Sequence, residues 1–213
     1  MDNLLQNAKD FLKKTLNSCE HIDDIEKKYR FEHSMRVASI ARYIAEQEGQ
    51  DVLITSVAAI LHDVGKFETE VNADHGRVSA DVAMPFLQAS GLSDEHIKDI
   101  HYAIAVHVDG KAGYEYENTL EAETVSDADN IDRFGMYRIY QSMQWDKAEM
   151  VAAAELAEKY RERSRRLKDF KDSYKLSTDT ANKLFQQNLQ LQIEFFDNLV
   201  SELILTNFMG AES

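Results

Sequence analysis

The spacing of the apolar residues constrains this chain more than any other feature of its sequence. Apolar side chains recur every three or four residues, as in the stripes over 37–44 and 97–108, and this period places them on one face of a helix. One proline and eight glycines in 213 residues leave few points at which a helix has to end. Alternation with a period of two, which is typical of strands, is almost absent. The sequence therefore predicts an all-α fold.

The helical pattern falls into segments joined by short connections. We expect helices at residues 2–17, 22–48, 51–63, 74–89, 93–108, 119–129, 133–143, 146–166 and 177–208. Ser93 is the predicted N-cap of the fifth, because acidic residues follow it in the first turn. We expect a single domain overall, with an N-terminal helix (1–21), a core (22–145) and C-terminal helices (146–213) that pack on the core.

The charge and the cysteine usage exclude several classes of function. A net charge of −14 argues against a long nucleic acid as the ligand, because polyanion binders usually carry a basic surface. A small phosphate compound is compatible with this charge if a bound cation offsets the repulsion. A single cysteine, Cys19, suits a reducing compartment, and the apolar run over 52–61 is too short to cross a bilayer. The N-terminus lacks the pattern of a secretory signal. We therefore expect a cytoplasmic protein that does not act on membranes.

Two features of the last third of the chain have open interpretations. Residues 159–175 contain eight basic and three acidic side chains. They form either a solvated helix and loop or a positive rim over a site for an anionic substrate. The final helix is amphipathic and rich in aromatic residues, so it packs either on the core or on a second subunit. The chain is accordingly expected to be a monomer or a homodimer.

Four side chains of the types that coordinate divalent metals stand at helix positions along the chain. His33 lies near the start of one apolar stripe, His62 and Asp63 end the third predicted helix after 28 intervening residues, and Asp129 closes the segment VSDADNID. An isolated histidine on a helix is more often structural, but this ordered series supplies a mixed nitrogen and oxygen ligand set. Such a set suits Mn²⁺, Fe²⁺, Mg²⁺ or Zn²⁺, and the absence of cysteine ligands argues against a structural zinc site.

The ordered series resembles the pattern H…HD…D of the HD-domain superfamily of metal-dependent phosphohydrolases. The flanking segments EHSMRVASIA and AAILHDVGK resemble the superfamily's first two motif helices. Further segments, HGRVSADVA, AIAVHVDG, DADNIDRFG and TDTANKL, are similar to the small stand-alone bacterial HD hydrolases. This resemblance runs over most of residues 22–208 and makes 22–145 the HD core.

The resemblance implies one divalent metal ion (Mn, Fe, Mg, Zn, Ni or Co) bound by His33, His62, Asp63 and Asp129. It also implies hydrolysis of a phosphate ester or anhydride bond in a small molecule. A nucleotide is the favoured substrate, which would make the chain a nucleotidase or a nucleotide pyrophosphohydrolase. A second metal is disfavoured because the neighbouring histidine pair of the di-metal HD phosphodiesterases is missing. Asn130 and Arg133 depart from the usual motif, where a basic and a small residue are common, and so bear on specificity.

The other candidate catalytic residues are Lys66, His75, His107, Arg36 and Glu68. Lys66 either binds a phosphate as a point charge or is a solvated loop lysine. Arg36 either binds phosphate or orients Asp63 or Asp129. His75 and His107 are candidates for protonating the leaving group or contacting phosphate, because histidine titrates near neutral pH.

The remaining polar candidates have weaker assignments. Glu68 is expected to orient the attacking water, whereas His21, His96 and His101 are interpreted as surface or packing residues. Tyr114 and Tyr116, in the loop over 110–118, could stack on a base.

Two functions from other classes compete with the hydrolase. One is a non-catalytic HD protein that binds a nucleotide and acts as a regulator, although such proteins usually lack a metal ligand. The other is an all-α interaction protein that uses the helices over 146–208 as a dimer surface.

Overall fold

A computed structural model describes residues 2–206, including every side chain except those of Asp2 and Lys111. All regular structure within these residues is helical, as the sequence predicts. The chain divides into two compact units, Met1–Asp132 and Arg133–Ser213. None of the described helices is long and apolar enough to span a membrane.

The helices that begin in the first unit are joined by short turns. They are α1 (Asp2–Ser18), α2 (Asp24–Glu48), α3 (Val52–Leu61), α4 (His75–Ala89), α5 (Asp94–Val106), the single turn α6 (Asp109–Ala112) and α7 (Leu120–Arg133). Two short 3₁₀ turns, Lys66–Glu68 and Asn72–Asp74, connect α3 to α4.

Side chains cap the helix ends that the sequence marks. Asp51 accepts hydrogen bonds from the backbone N–H groups of Leu53 and Ile54 at the start of α3. Ser93 caps α5 as predicted, because its hydroxyl accepts a hydrogen bond from the N–H of His96. α2 ends at Gly49, whose φ of 68° is a left-handed conformation that glycine adopts without strain.

The core of the first unit forms around α3. Every residue of this helix from Ile54 to Leu61 is buried, and α1, α2 and α5 pack around it. A helix that is apolar on all faces is stable only when other elements surround it. The position of α3 therefore places the residues that follow it, His62 and Asp63, inside the unit and not on its surface.

The second unit contains α8 (Met136–Trp145), a 3₁₀ turn (Ala148–Met150), α9 (Ala153–Ser173) and α10 (Asp179–Leu205). α9 and α10 pack along one another. Cations of α9 pair with neighbouring carboxylates, as in Arg165 with Glu162 at 2.8 Å and Lys168 with Asp197 at 2.8 Å. Much of the positive charge of 159–175 is therefore balanced within this unit.

The predicted helices all have counterparts, with shifted boundaries. The helix predicted over 146–166 begins only at Ala153, after a turn in which Lys147 has a positive φ of 48°, and it continues to Ser173. α6 was not predicted, and residues 207–208 of the last predicted helix lie outside the described residues. The boundary between the two units lies between Asp132 and Arg133, which is earlier than residue 145, the predicted end of the core. Packing of the last helices on the core stays a prediction.

We expect Gly65→Ala to destabilise the first unit by about 1–3 kcal/mol, because overpacking forces the backbone to shift. A Cβ atom at this position would lie 2.8 Å from the carbonyl oxygen of Val78 and 2.9 Å from Cα of Ser79. Urea unfolding measures the change. Gly110→Ala is the control, since its Cβ would only reach the Tyr116 hydroxyl at 3.4 Å in a helical turn. Equal stability of Gly65→Ala and the native chain would contradict the packing argument.

Candidate metal centre

The candidate site forms where three helices of the first unit meet. His33 comes from the middle of α2, His62 and Asp63 follow the last residue of α3, and Asp129 comes from the last turns of α7. His62 is fully buried and Asp63 is 4 % exposed. Nδ1 of His62 donates to the carbonyl oxygen of Ala59 at 2.8 Å. This bond directs Nε2 of His62 toward the other side chains.

The four side chains of the sequence-predicted ligand set converge. Nε2 of His33 lies 3.3 Å from Nε2 of His62 and 3.4 Å from a carboxylate oxygen of Asp129. One oxygen of Asp63 lies 3.7 Å from Nε2 of His62 and 3.8 Å from Nε2 of His33. Donor atoms of His33, His62 and Asp129 all lie within 4.8 Å of one another, which is close enough to share an ion.

Two more histidines face the same carboxylate. Nε2 of His75 lies 3.1 Å from Oδ1 of Asp63, and Nε2 of His107 lies 3.8 Å from the same atom. Their Nδ1 atoms donate to backbone carbonyl oxygens, at 2.6 Å for His75 and 2.7 Å for His107. His62, Asp63 and His107 form a second group of donor atoms within 4.8 Å of one another.

Asp132 orients His33, and the sequence reasoning missed this residue. Nδ1 of His33 donates to Asp132 at 2.7 Å, and Nε of Arg36 donates to the other oxygen of the same carboxylate at 2.6 Å. Arg36 thus pairs with Asp132, whereas the sequence suggested Asp63, Asp129 or a phosphate as its partner. The available signal was the spacing of Asp132, three residues after Asp129 on one helix, which places both on one face.

Two cations lie beside Asp63. Nζ of Lys66 donates to both oxygens of this carboxylate, at 3.1 and 3.2 Å. Nη1 of Arg30 lies 3.5 Å from Oδ2, and its guanidinium also lies over the rings of Tyr29 and Phe67. Arg30 was not a sequence candidate, although it stands three residues before His33 on α2 and so shares its face.

Several other sequence candidates lie in different surroundings. Glu68 is exposed in its 3₁₀ turn, Asn130 is buried, and Arg133 is exposed. The Tyr114 hydroxyl donates to Asp74 and the Tyr116 hydroxyl donates to Glu123. The histidines read as surface or packing residues have local contacts: His21 with Phe67, His101 with Asp81, and His96 at the first turn of α5.

Burial and neighbouring charges shift the pKa values of the site in opposite directions. Burial alone would lower the pKa of His33, but its bonds to Asp129 and Asp132 raise it to about 9. Burial lowers the pKa of His107 to about 3, with the charge of His62 acting in the same direction. Burial also opposes ionisation of Asp63, yet the adjacent His62 and His75 hold its pKa well below the usual range.

The donor atoms fit a divalent cation on chemical grounds. Nδ1 of His33 and Nδ1 of His62 are both used as hydrogen-bond donors, so their two Nε2 atoms face one another with room for one proton or one cation between them. Nε2 of His107 is buried without a hydrogen-bond partner in the described part of the chain. Imidazole nitrogens and carboxylate oxygens arranged in this way are ligands for Mn²⁺, Fe²⁺, Co²⁺, Ni²⁺ or Zn²⁺.

The sequence matches known proteins over this region. The family model of the HD domain matches residues 30–133. The uncharacterized protein YpgQ of Bacillus subtilis is 27% identical over 182 residues, which cover 80% of this chain and 82% of YpgQ. Ribonuclease Y of Chloroflexus aurantiacus is 32% identical over 101 residues, but these cover only 18% of that enzyme.

Solved structures share the fold at low sequence identity. A predicted HD superfamily hydrolase from an uncultured Thermotogales bacterium has a TM-score of 0.64 at 20% identity, with 95% of this chain and 92% of that chain covered. The crystal structure of Bacillus subtilis YpgQ in complex with ADP has a TM-score of 0.63 at 20% identity, with 94% and 95% covered.

We expect Asp132→Asn to lower the pKa of His33 in the metal-free protein, because the imidazolium loses its carboxylate partner at Nδ1. The native pKa of about 9 exceeds the ordinary 6.5. Protonation of His33 therefore stabilises the metal-free fold fully below about pH 6.5, and this contribution is lost as the pH rises through 9. NMR titration of the imidazole and urea unfolding across this range measure both effects.

Asp81→Asn is the matched control for that measurement. Asp81 is exposed and lies 3.5 Å from His101, so its amide should leave the His33 titration unchanged. An unaltered His33 pKa in Asp132→Asn would show that Asp132 does not hold the charged imidazole.

Proposed function

Since residues 30–133 of this chain belong to the HD-domain family, we propose that the chain is a metal-dependent phosphohydrolase acting on a small phosphate compound, most specifically a nucleotide. The observation that carries this proposal is the convergence of two imidazoles and two carboxylates in one buried site with two cations at its edge. A hydrolase of this class needs that combination, because the substrate is anionic and the reaction builds charge on phosphoryl oxygens.

We assign His33, His62, Asp63 and Asp129 as the ligands of one divalent ion. When bound there, the ion would polarise a phosphoryl oxygen and lower the pKa of its bound water. Asp132 bonds Nδ1 of His33 and the Ala59 carbonyl bonds Nδ1 of His62, so Nε2 of each ring would be the atom that holds the ion. Anchored rings of this kind are the usual support of histidine ligands.

Lys66 and Arg30 are the groups we assign to the substrate phosphate. Both lie beside Asp63 and both keep part of their side chains exposed. A metal ion would neutralise Asp63 and make Nζ of Lys66 and Nη1 of Arg30 available to the phosphate oxygens, while Nε of Arg30 stays bonded to Glu26 at 2.7 Å. Lys66 would act as a point charge, and Arg30 has the planar donor geometry that suits phosphate. They also offset the repulsion that a chain of net charge −14 exerts on an anion.

This proposal gives His107 and His75 different chemical roles. The low pKa of His107 keeps its imidazole neutral at pH 7, which suits a metal ligand and not the acid that protonates a leaving group. His75 remains the candidate for that acid or for a phosphate contact. Glu68 remains a candidate for orienting water. A second ion held by His62, Asp63 and His107 is the minority alternative.

The nucleotide class has separate support. YpgQ, which shares the fold, has been crystallised with ADP. This observation concerns YpgQ, and we extend it to the present chain as a proposal. Asn130 and Arg133 remain candidates for substrate preference. Tyr114 and Tyr116 remain candidates for stacking on the base, although each already makes a hydrogen bond. A cytoplasmic location and a monomeric or homodimeric state stay predictions.

The alternative is a regulator that binds a nucleotide without hydrolysing it. Loss of a metal ligand would favour it, and this chain keeps a residue of the required type at all four positions. Turnover therefore separates the two functions, and a panel of nucleoside mono-, di- and triphosphates with Mn²⁺, Mg²⁺, Ni²⁺, Co²⁺ and Zn²⁺ is the test. Hydrolysis of at least one nucleotide supports the hydrolase. Stoichiometric metal binding with no hydrolysis across the panel would favour the regulator.

Asp63→Ala is expected to remove most of the metal affinity and to leave the helix content unchanged, because the apolar core around α3 stays intact. Isothermal titration with Mn²⁺ measures the affinity and circular dichroism measures the helicity. Asp81→Ala is the control, since Asp81 is an exposed carboxylate on another helix. Full metal affinity in Asp63→Ala would refute the ligand assignment.

Lys66→Ala is expected to lower kcat/KM about ten-fold or more while retaining the metal, because a charge-assisted hydrogen bond to phosphate is lost. Steady-state kinetics on the best nucleotide of the panel, paired with metal analysis, measures this change. Lys28→Ala is the control, since that exposed lysine pairs with Glu32 on the surface. Unchanged kcat/KM in Lys66→Ala would assign this lysine to a solvated role.

A further inference from the structure

One further ion pair lies close to the site and has no part in the proposed chemistry. Both guanidinium ends of Arg77 donate to Asp109, at 2.7 and 2.8 Å. The Asp109 side chain is 0 % exposed, whereas that of Arg77 is 45 % exposed. A fully buried carboxylate is costly unless a partner compensates it, so the arrangement of this pair is closely constrained.

The pair connects the two segments that carry His75 and His107. Arg77 stands two residues after His75 in the first turn of α4. Asp109 stands two residues after His107 and begins α6. The two imidazole rings contact one another edge to face, with centroids 5.1 Å apart, and both present Nε2 to Asp63.

Close backbone packing accompanies the ion pair. A Cβ atom at Gly76, between His75 and Arg77, would lie 2.5 Å from the carbonyl oxygen of Ala105 and 3.2 Å from Nδ1 of His107. The start of α4 therefore lies directly against the end of α5. Tyr114 adds a second connection, because its ring lies 4.7 Å from the Arg77 guanidinium and its hydroxyl donates to Asp74.

We propose that Arg77 and Asp109 are a positioning pair that holds His75 and His107 in register against Asp63. The pair acts through the two histidines and does not itself touch the site carboxylate in this arrangement. Its effect on turnover rests on the proposed function, whereas its effect on the position of the histidines does not. A displacement of about 1 Å at a reacting group can cost up to about a hundred-fold in rate.

Three variants separate positioning from simple stability. Arg77→Met leaves the buried Asp109 carboxylate unpaired, so it should lower both the melting temperature and the order of the histidines. Adding Asp109→Asn removes the unpaired charge and should recover most of the melting temperature. The double variant has no ion pair between the segments, so the histidines should stay displaced. Arg77→Lys keeps the charge and one of the two bonds, and it should rescue the native state in part.

Two of the three measurements give a result even if the chain hydrolyses no nucleotide. Imidazole ¹⁵N NMR spectra of the metal-free protein report the tautomer and order of His75 and His107 without any turnover. Mn²⁺ titration reports whether the His33, His62, Asp63 and Asp129 centre is intact. kcat/KM on the best nucleotide reports the catalytic effect, which should fall about ten- to a hundred-fold in the double variant. Arg42→Met is the matched control, since it removes an exposed ion pair with Glu46 on the surface of α2.

The expected result is a double variant with recovered stability, altered His75 and His107 spectra, retained Mn²⁺ binding and reduced kcat/KM. Native-like imidazole spectra in the double variant would overturn the proposal, whatever the activity. Recovery of kcat/KM together with the melting temperature would also overturn it and leave the pair a purely stabilising role. If the native chain hydrolyses nothing, altered spectra still support the positioning pair while the hydrolase proposal fails.

Discussion

The cost of burying a carboxylate organises the first unit of this protein. Asp63 follows a helix that is buried along most of its length, so its charge lies where solvent cannot stabilise it. Histidines from three other segments surround it instead, together with Lys66 from the next turn and Arg30 from α2. His33 and Arg30 come from α2, and His75 and His107 come from segments later in the chain, so the charge of Asp63 is fully compensated only when the whole unit is assembled.

The supporting bonds give chemically identical rings different properties. Nδ1 of His33 donates to a carboxylate, whereas Nδ1 of His107 donates to a backbone carbonyl. The carboxylate partners raise the pKa of His33 to about 9, and burial takes the pKa of His107 down to about 3. In the metal-free site His33 therefore carries a proton that a cation would replace. His107 is neutral and could accept a cation directly. This difference follows from the partners and the burial of each ring.

The second unit presents a different balance of charge and apolar surface. The basic run in α9 neutralises itself through ion pairs with α9 and α10 carboxylates, which are exposed contacts of small individual value. Phe196 of α10 instead packs against the buried Tyr160 of α9, with ring centroids 5.1 Å apart and an interplanar angle of 33°. Much of the positive charge of 159–175 is therefore paired. These contacts agree better with a solvated amphipathic helix than with a positive rim over a substrate site.

The sequence by itself determined the helical class, the approximate positions of the long helices other than α9, and the residue types available for a metal site. These features depend on local periodicity and on the order of His33, His62, Asp63 and Asp129, which a linear pattern records. Helix ends were less well predicted, because α6 begins at Asp109, which pairs with Arg77 of another helix, and because Lys147 before α9 adopts a positive φ that its residue type does not indicate.

Only the tertiary structure decided which groups support the site. Arg36 could reach several carboxylates from its helix face, and the packing of α2 against α7 selected Asp132. Arg30 and the Arg77–Asp109 pair became relevant only through contacts between residues far apart in the chain. Gly65 has an ordinary φ of −104°, and its lack of a side chain allows the backbone of α4 to approach closely. A glycine in a sequence does not indicate which of these two reasons requires it. Pairing partners are a property of three-dimensional packing, and a sequence lists the candidates without choosing between them.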